Sequence, residues 1–344
     1  MPHETMHYPL EAPAISQWRA IGQGVYWVRL PMPLALDHIN VWLLEDSDGL
    51  ALVDTGLRTE AVLDLWEKLL REPPFDRPLT RVFVTHMHPD HVGMAGWLTR
   101  RFGVKLWMSR LEYLTCRTMV ADMSREAPPD ALEFFREAGW QDAAIEKYRT
   151  RFGAFGQMIY KLPDSFRRLA RGQRITIGDS EWQVVIGQGH SPEHACLYCA
   201  EKKLLISGDQ VLPKISSNVS VHPLEPEANP MAGWLASLDW LQENIPDDVL
   251  VLPAHDDCFH GLHARLQHLR DSQMRSLERL RAALREPRRV VDVFADLFSR
   301  PIEATSSHYH LATGEAQACL NYLLERGEIR RELRDGVAWY SAAY

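Results

Sequence analysis

The chain has 344 residues, of which 46% are hydrophobic and 24% charged, and its formal net charge is −8. Its length suits one large catalytic domain with an appendage, and its composition is typical of a globular protein with a sizeable core. The acidic balance excludes a general attraction to nucleic acid or anionic membranes. No apolar run reaches bilayer length and no signal-peptide pattern is present, so we expect a cytoplasmic protein without a membrane partner.

Strands dominate the first part of the chain after an irregular, proline-rich lead-in predicted over residues 1–20. Apolar runs over 25–30, 39–44 and 50–53 predict strands, and Ser47-Asp48-Gly49 predicts a hairpin turn between the last two. The third run ends at Asp54, before a helix predicted over about 60–71. Further strands at 81–84 and 105–108 flank a helix that ends near residue 102.

A dense group of ligand-type residues follows the strand at 81–84. The stretch Thr85-His86-Met87-His88-Pro89-Asp90-His91 carries three histidines and one aspartate within six positions. Imidazole and carboxylate at this density favour one or two divalent cations, zinc first. A chance cluster of surface histidines is the alternative interpretation in a chain with fifteen histidines. Ligand-type residues at later strand ends make this alternative the weaker interpretation.

Residues 110–170 interrupt the strands. Helices are predicted over about 111–125, 130–138 and 142–156, with Pro128-Pro129 and Gly139 as breaks. Such an insert is either plain packing or a lid that shapes a substrate pocket, and the sequence does not choose between the two.

Strands resume after the insert, and several of them end beside a ligand-type residue. Strands are predicted over 174–177, 182–186, 195–199 and 203–207, with Gly189-His190 after the second and Gly208-Asp209 after the fourth. A helix over 230–244 leads to a strand at 249–252, which ends at Pro253-Ala254-His255. This arrangement is typical of enzymes whose sites lie on loops at sheet edges. Over residues 261–344 the sequence predicts a long helix over about 262–285 and a small α+β module with helices near 290–298 and 313–326. The final hairpin behind a helix is typical of a winged helix.

These strand-end residues form an HxHxDH…H…D…H pattern: His86, His88, Asp90, His91, His190, Asp209 and His255. With Val53-Asp54-Thr55-Gly56 and Gly189-His190-Ser191-Pro192-Glu193-His194, the chain resembles the metallo-β-lactamase fold superfamily over about residues 20–260. The resemblance implies an α/β fold: an αββα sandwich of two mixed sheets with the site along one edge. The catalytic domain would then span 21–260, with the helical insert at about 110–170 and the winged-helix-like module after it.

The resemblance also implies a dinuclear metal site. His86, His88 and His190 correspond to the ligands of the first ion, and Asp90, His91 and His255 to those of the second. Asp209 corresponds to the carboxylate that bridges the ions. Asp54 and His194 correspond to residues that orient the ligand loops, with a satisfied buried polar role as the alternative for each.

Two divalent ions in this site would be zinc first, with iron or manganese as alternatives. They would hold a hydroxide that attacks an acyl or phosphoryl centre, and Asp90 is the expected catalytic residue that orients it and relays a proton. Flavodiiron relatives carry glutamate where this chain has His88, so hydrolysis is favoured over redox chemistry.

The leading hypothesis for the substrate is a small acyl thioester, such as an acyl-CoA or a hydroxyacylglutathione. Alternatives are an endoribonuclease acting on single-stranded RNA, a lactone or lactam hydrolase, and a non-enzymatic metal-stabilised scaffold. Gly208-Asp209-Gln210-Val211-Leu212-Pro213 and the C-terminal module resemble the endoribonuclease branch. However, the segment from Gly261 to Gly336 carries thirteen arginines against eleven acidic residues. A nucleic-acid module should be more basic, so we expect the module to pack or to support a homodimer.

Other histidines and the cysteines show no ligand pattern. Surface or satisfied core positions are expected for His38, His222, His260, His263, His268, His308 and His310, and His222 is the least secure because it follows the loop after Asp209. Five scattered cysteines fit reduced thiols. Cys196 and Cys199 form a CxxC without a second pair, which favours core thiols over a metal knuckle.

Overall fold

The structure is a computed structural model that describes residues 6–33, 36–304, 306 and 308–343. Short 3-10 helices cover Ala154–Gln157 and Val290–Val293. The α-helices are α1 (Glu60–Leu69), α2 (Pro89–Val92), α3 (Ala95–Phe102), α4 (Arg110–Ala121), α5 (Pro129–Glu137), α6 (Asp142–Arg151), α7 (Pro230–Asn244), α8 (Leu262–Ala283), α9 (Phe294–Leu297) and α10 (Tyr309–Glu325).

The larger sheet has seven strands whose spatial order follows the chain. They are β1 (Trp18–Gly22), β2 (Val25–Pro31), β3 (His38–Asp46), β4 (Gly49–Val53), β5 (Leu79–Phe83), β6 (Lys105–Ser109) and β7 (Arg167–Leu169). β1 to β4 pair antiparallel, whereas β4 to β7 pair parallel. The parallel half forms because α1 and the α2–α3 pair return the chain to the start of the next strand.

The second sheet has five strands in the order β12-β11-β10-β9-β8. They are β8 (Arg174–Ile177), β9 (Ser180–Gly187), β10 (His194–Cys199), β11 (Leu204–Gly208) and β12 (Leu250–Pro253). Only the β11–β12 pair is parallel, since α7 connects these two strands. A separate hairpin of β13 (Ile329–Arg334) and β14 (Val337–Ala342) closes the chain.

The two sheets pack face to face and are covered by helices on both outer faces. Trp27 and Trp42 of the first sheet and Trp182 of the second lie in the buried layer between them. Side chains of α1, α3 and α4 cover the outer face of the first sheet, and those of α7 and α8 cover the outer face of the second. The predicted α/β class and αββα sandwich are therefore confirmed.

Several elements begin where the sequence signals predict. Asn229 Oδ1 accepts the N–H of Ala232 at 3.0 Å, and Pro230 occupies the first position of α7. Thr59 Oγ1 accepts the N–H of Val62 at 3.2 Å at the start of α1. Each side-chain acceptor pairs with a backbone donor that the helix leaves free.

The structure differs from the prediction at some element boundaries. β1 begins inside the lead-in expected over 1–20, and β7 lies inside the 110–170 insert. Both are edge strands with mostly exposed side chains, so neither shows an apolar run. The helix expected over 142–156 ends at Arg151, because Gly153 adopts φ +78° and a Cβ there would lie 2.4 Å from the carbonyl oxygen of Asp122. The C-terminal helix expected over 290–298 is a 3-10 turn followed by the single turn of α9.

The insert contains the three expected helices, and two of them pack against the C-terminal module. Phe135 and Trp140 belong to the same buried cluster as Phe294 and Leu320. The Trp140 indole N–H donates to Thr313 Oγ1 at 2.9 Å. α5 and α6 are therefore packing elements, while α4 runs from β6 on the outer face of the first sheet. The winged-helix assignment of the C-terminal module stays a prediction.

Among the described residues, no helix is both long and apolar enough to cross a membrane. The five cysteines are all free and buried. Cys196 and Cys199 lie in β10 within the apolar clusters, as expected for core thiols. The cytoplasmic location and the homodimer stay predictions.

Asp46 is a buried carboxylate that links the two sheets. It is 3% exposed and sits at the end of β3. Arg81 of β5 binds it with two hydrogen bonds of 2.7 Å, and the backbone N–H of Gly178, in the turn between β8 and β9, donates at 3.0 Å. Burial raises the pKa of Asp46, but Arg81, Thr80 and Gly178 more than offset this and hold the pKa below its usual value.

We expect Asp46→Asn to lower the free energy of unfolding by about 3 kcal/mol at pH 7, because it leaves Arg81 without its buried charge partner. The depressed folded pKa means that this stabilisation is complete above about pH 4 and is lost as the pH falls through the folded value. Urea unfolding at pH 7 and at pH 3 measures both effects. Asp48→Asn, an exposed change in the same hairpin, should stay within about 0.5 kcal/mol of wild type. Equal stability of the two variants at pH 7 would contradict this account.

Candidate metal centre

The structure brings all seven predicted ligand residues together at one edge of the sandwich. They come from the segment after β5, the loop between β9 and β10, and the ends of β11 and β12. His86 Nε2, His88 Nδ1 and His190 Nε2 lie 2.9, 3.0 and 3.2 Å from one another. Ligands about 2.0–2.1 Å from a tetrahedral ion would be about 3.3 Å apart, so this triangle is close to the size that a zinc ion requires.

A second group lies beside the first and shares a carboxylate with it. Asp90 Oδ2 is 3.5 Å from His91 Nε2 and 3.3 Å from His255 Nε2. Asp209 Oδ1 is 3.4 and 3.5 Å from the same two nitrogens, while its Oδ2 is 3.4 Å from His190 Nε2. The two oxygens of Asp209 thus face different groups of imidazoles.

The polar atoms at the centre of the cluster fit metal ions. His91 Nε2 and Asp209 Oδ1 are buried and have no hydrogen-bond partner among the described residues. Orphaned buried atoms of this kind are rare because each costs free energy, and a cation satisfies both at once. The donor set of imidazole nitrogens and carboxylate oxygens suits zinc, iron or manganese.

Burial and mutual charge set the protonation of the ligands. Burial and the neighbouring histidines lower the pKa of His86 well below its usual value, and burial lowers that of His88 to about 3, so both rings are neutral near pH 7. Burial raises the pKa of Asp90, but His91 and His255 more than offset it and bring it to about 2. Burial opposes the charge on His255, yet Asp209 and Asp90 raise its pKa to about 9. Without a metal ion, a protonated His255 thus faces the ionised Asp90.

The ring nitrogens that face away from the centre are held by specific acceptors. His91 Nδ1 lies 2.8 Å from Asp54 Oδ2, and Asp54 Oδ1 accepts the N–H of Thr85 at 2.8 Å. His190 Nδ1 lies 2.8 Å from the carbonyl oxygen of Asn218, and His255 Nδ1 lies 2.9 Å from that of His38. Donation from each Nδ1 points the opposite Nε2 at the centre, where a metal ion would take the place of a proton.

His194 lies beneath the cluster and does not offer a free nitrogen. Its Nε2 accepts the backbone N–H of Asp209 at 3.1 Å, and its Nδ1 lies 3.6 Å from Cys196 Sγ. Burial lowers the pKa of His194 well below its usual value, so the ring is neutral. It is stacked on His86 with ring centroids 4.8 Å apart. Its contacts are those of a residue that holds Asp209 in place.

Glu112 of α4 also supports the ligand loops, although no sequence pattern pointed to it. Its Oε2 accepts the N–H of Met87, between two ligand histidines, at 2.9 Å. Its Oε1 accepts the N–H of Glu193, in the loop after His190, at 2.8 Å. Glu112 is completely buried, and burial raises its pKa. A glutamate in the first turn of a helix, as Glu112 is in α4, resembles any surface residue in the sequence, so only the contacts reveal its role.

Three of the histidines outside the cluster have ordinary backbone partners. His260 Nδ1 lies 2.9 Å from the carbonyl oxygen of Val249, and His263 Nε2 lies 2.7 Å from that of Ile245. His222 accepts the N–H of Leu224 at its Nδ1 and is exposed. His38 is the partial exception, because its carbonyl supports His255 and its ring accepts the N–H of Asp256.

Comparison with known protein families agrees with this geometry. The model of the Metallo-beta-lactamase superfamily matches residues 34–255, well over half of the chain. The chain belongs to the metallo-β-lactamase superfamily. A second family model, described as the metallo-beta-lactamase-like C-terminal domain, matches residues 277–343. The superfamily membership confirms the resemblance found in the sequence.

Individual members of the superfamily resemble the chain to different extents. The crystal structure of a beta-lactamase domain protein from Burkholderia ambifaria is 38% identical, covers 98% of each chain and superposes with a TM-score of 0.88. Human acyl-coenzyme A thioesterase MBLAC2 is 24% identical over 200 residues, which are 56% of this chain and 65% of the human protein. Hydroxyacylglutathione hydrolase GloC of Haemophilus influenzae is 25% identical over 169 residues, 49% of this chain and 63% of that protein. The chain thus matches less than two thirds of the length of either enzyme.

We expect Glu112→Gln to lower the free energy of unfolding by about 1–3 kcal/mol, since one buried N–H would then face an amide donor instead of an acceptor. Chemical denaturation of the metal-free protein measures this change. Glu133→Gln, an exposed substitution on the neighbouring α5, serves as the matched control and should have little effect. If Glu112→Gln is as stable as the control, Glu112 does not fasten the two ligand loops.

Proposed function

We propose that the protein is a dinuclear metal-dependent hydrolase that cleaves small acyl thioesters. The observation that carries this proposal is the carboxylate of Asp209, with Oδ2 3.4 Å from His190 and Oδ1 3.4 Å from His91. Two cations held about 3.5–4 Å apart repel each other and require a shared anionic ligand. Asp209 has the position and charge for that role, because its pKa is held well below its usual value by His255 and His91 despite burial.

We assign the seven side chains to two ions. The first would be held by His86, His88 and His190, the second by Asp90, His91 and His255, and the carboxylate of Asp209 would serve both. Asp54 and His194 orient His91 and Asp209 through the contacts described above. Zinc suits this imidazole-rich set best, and iron or manganese are the alternatives.

Asp90 is the residue to which we assign proton transfer. The chemistry that two such cations supply is activation of a water molecule and polarisation of a carbonyl oxygen. Asp90 is ionised at neutral pH and reaches the surface of the cluster, where its side chain is 18% exposed. It is thereby able to orient the attacking water and carry its proton towards the leaving group.

A thioester is favoured by the surface beside the centre and by the relatives. Leu111 and Leu114 lie one turn apart on α4 and are 44% and 49% exposed. The N–H of Leu111 donates to Glu193 Oε2 at 2.8 Å, which places this apolar face next to the loop of His190. An acyl chain would bury such side chains favourably. The thioesterase MBLAC2 and the hydroxyacylglutathione hydrolase GloC act on thioesters by name.

A substrate panel on metal-defined protein tests the proposed activity. We expect zinc-loaded protein to release free thiol from acyl-CoA or hydroxyacylglutathione with kcat/KM of at least about 10⁴ M⁻¹s⁻¹. Chelator-stripped protein should be inactive, and added zinc should restore the activity. Cleavage of a lactone, a lactam or single-stranded RNA without any thioester cleavage would overturn the substrate assignment. Failure to bind any metal would overturn the whole proposal.

We expect Asp90→Asn to lower kcat by about 10²–10⁴-fold, because the amide can occupy the same space but cannot accept the proton. Metal content of the purified variant is measured in parallel, so that loss of an ion is separated from loss of proton transfer. Asp130→Asn, an exposed change on α5, is the matched control and should keep wild-type kcat. A fully loaded Asp90→Asn variant with near-normal kcat would remove Asp90 from the mechanism.

A further inference from the structure

The segment that follows Asp209 lies behind two of the ligands. Residues 213–229, which we call the backing segment, contain neither helix nor strand. The carbonyl oxygen of Asn218 accepts from His190 Nδ1 at 2.8 Å. Ser217 Oγ donates to the carbonyl oxygen of Asp209 in a short hydrogen bond. An irregular segment thus holds a ligand of the first group and the backbone of Asp209, whose carboxylate faces both groups.

The backing segment is itself held by α10 of the C-terminal module. The N–H of Val221 donates to the carbonyl oxygen of Gly314 at 3.0 Å, and Ser220 Oγ lies 3.2 Å from that of Leu311. A Cβ on Gly314 would lie 2.7 Å from the carbonyl oxygen of Val221, so glycine is needed for this close approach. Asn321 Nδ2 reaches the carbonyl oxygens of Pro226 and Ala228, each at 2.9 Å. Because the segment has no secondary structure, these contacts help to fix its position.

Glu315 makes the contact of α10 that lies nearest to a ligand. Asn218 Nδ2 donates to Glu315 Oε2 at 2.7 Å, and Asn218 Oδ1 accepts a short hydrogen bond from Ser220 Oγ. The Asn218 side chain is therefore fixed at both of its polar atoms, while the backbone carbonyl of Asn218 faces His190. Burial raises the pKa of Glu315 to about 7 although Asn218 opposes the shift, so a neutral acceptor at this position would serve as well.

We propose that Glu315 is a positioning residue for His190, acting through Asn218, so that the C-terminal module completes the metal centre. The proposal rests on the metal site argued above. The C-terminal module would then support the metal ligands, a role that does not depend on the strong positive charge expected of a nucleic-acid module. Partners behind ligating histidines fix ring orientation, and their loss costs metal affinity or activity even though they touch no ion.

A double-mutant cycle on the full chain tests the proposal. Zinc affinity is measured by competition with a chromophoric chelator for wild type, Glu315→Ala, Asn218→Ala and the double variant. We expect each single substitution to weaken the tighter-bound zinc by about 10-fold, which is the lower end of the effect of such partners. The double variant should also lose only about 10-fold rather than 100-fold, because both substitutions break the same link.

Two control variants separate positioning from general stability. Glu315→Gln keeps an acceptor for Asn218 Nδ2, so its zinc affinity should stay within about 3-fold of wild type. Glu325→Ala removes another glutamate of α10. Glu325 accepts a hydrogen bond from the side-chain amide of Asn229, and Asn229 caps α7 instead of contacting a metal ligand. We expect Glu325→Ala to retain wild-type zinc affinity whatever its effect on the melting temperature of metal-free protein.

The outcomes distinguish this inference from the proposed function. Wild-type protein that binds no zinc would overturn both. Wild-type protein that binds zinc, with a Glu315→Ala variant that melts earlier but binds zinc within about 2-fold of wild type, would overturn the inference alone. Additive losses of about 100-fold in the double variant would also overturn it, since the two residues would then act separately.

Discussion

The carboxylate of Asp209 has to stand between two groups of imidazoles, and the structure around it fixes it from several sides. The backbone N–H of Asp209 donates to His194 Nε2, and the backbone carbonyl oxygen of Asp209 accepts from Ser217 Oγ. The preceding Gly208 has φ +51°, and a Cβ there would lie 2.6 Å from the ring of His194. Displacement of this carboxylate would deprive both groups of their common negative charge. The end of β11, His194 and the backing segment therefore act as one unit.

The centre is also where the two sheets are joined by polar groups instead of apolar packing. Buried imidazoles and carboxylates are costly unless each polar atom has a partner, and the partners come from both sheets. Asp54 at the end of β4 supports His91, while the carbonyl of His38 in β3 supports His255 beyond β12. Asn40 of β3 adds a 2.9 Å hydrogen bond to the carbonyl oxygen of Pro253. The cost of burying the ligands is thus offset by contacts that also set the relation of the sheets at this edge.

The insert between β6 and β7 serves two different purposes. α4 begins at the centre, where Glu112 binds both ligand loops and Glu193 binds the start of the helix. α5 and α6 instead complete the core of the C-terminal module, and Trp140 between them donates a hydrogen bond to Thr313. The module in turn reaches the centre through α10 and Asn218. Segments that look like additions to a catalytic domain are therefore packed with it into a continuous structure.

The sequence by itself determined most strands and helices and brought out the seven ligand-type residues, because both depend on local patterns. The αββα architecture followed from the family resemblance that those residues carry. Apolar runs predict the strands, Asn229-Pro230 marks the start of α7, and each ligand-type residue directly follows a predicted strand or its turn. The sequence also named Asp54 and His194 as supports of the ligands, but only the tertiary structure added Glu112 and Asn218. Glu112 contacts Glu193 across 81 positions, and Asn218 contacts Glu315 across 97. Contacts at such separations follow from the packing of helices on sheets, so the spacing of residues along the chain does not predict them.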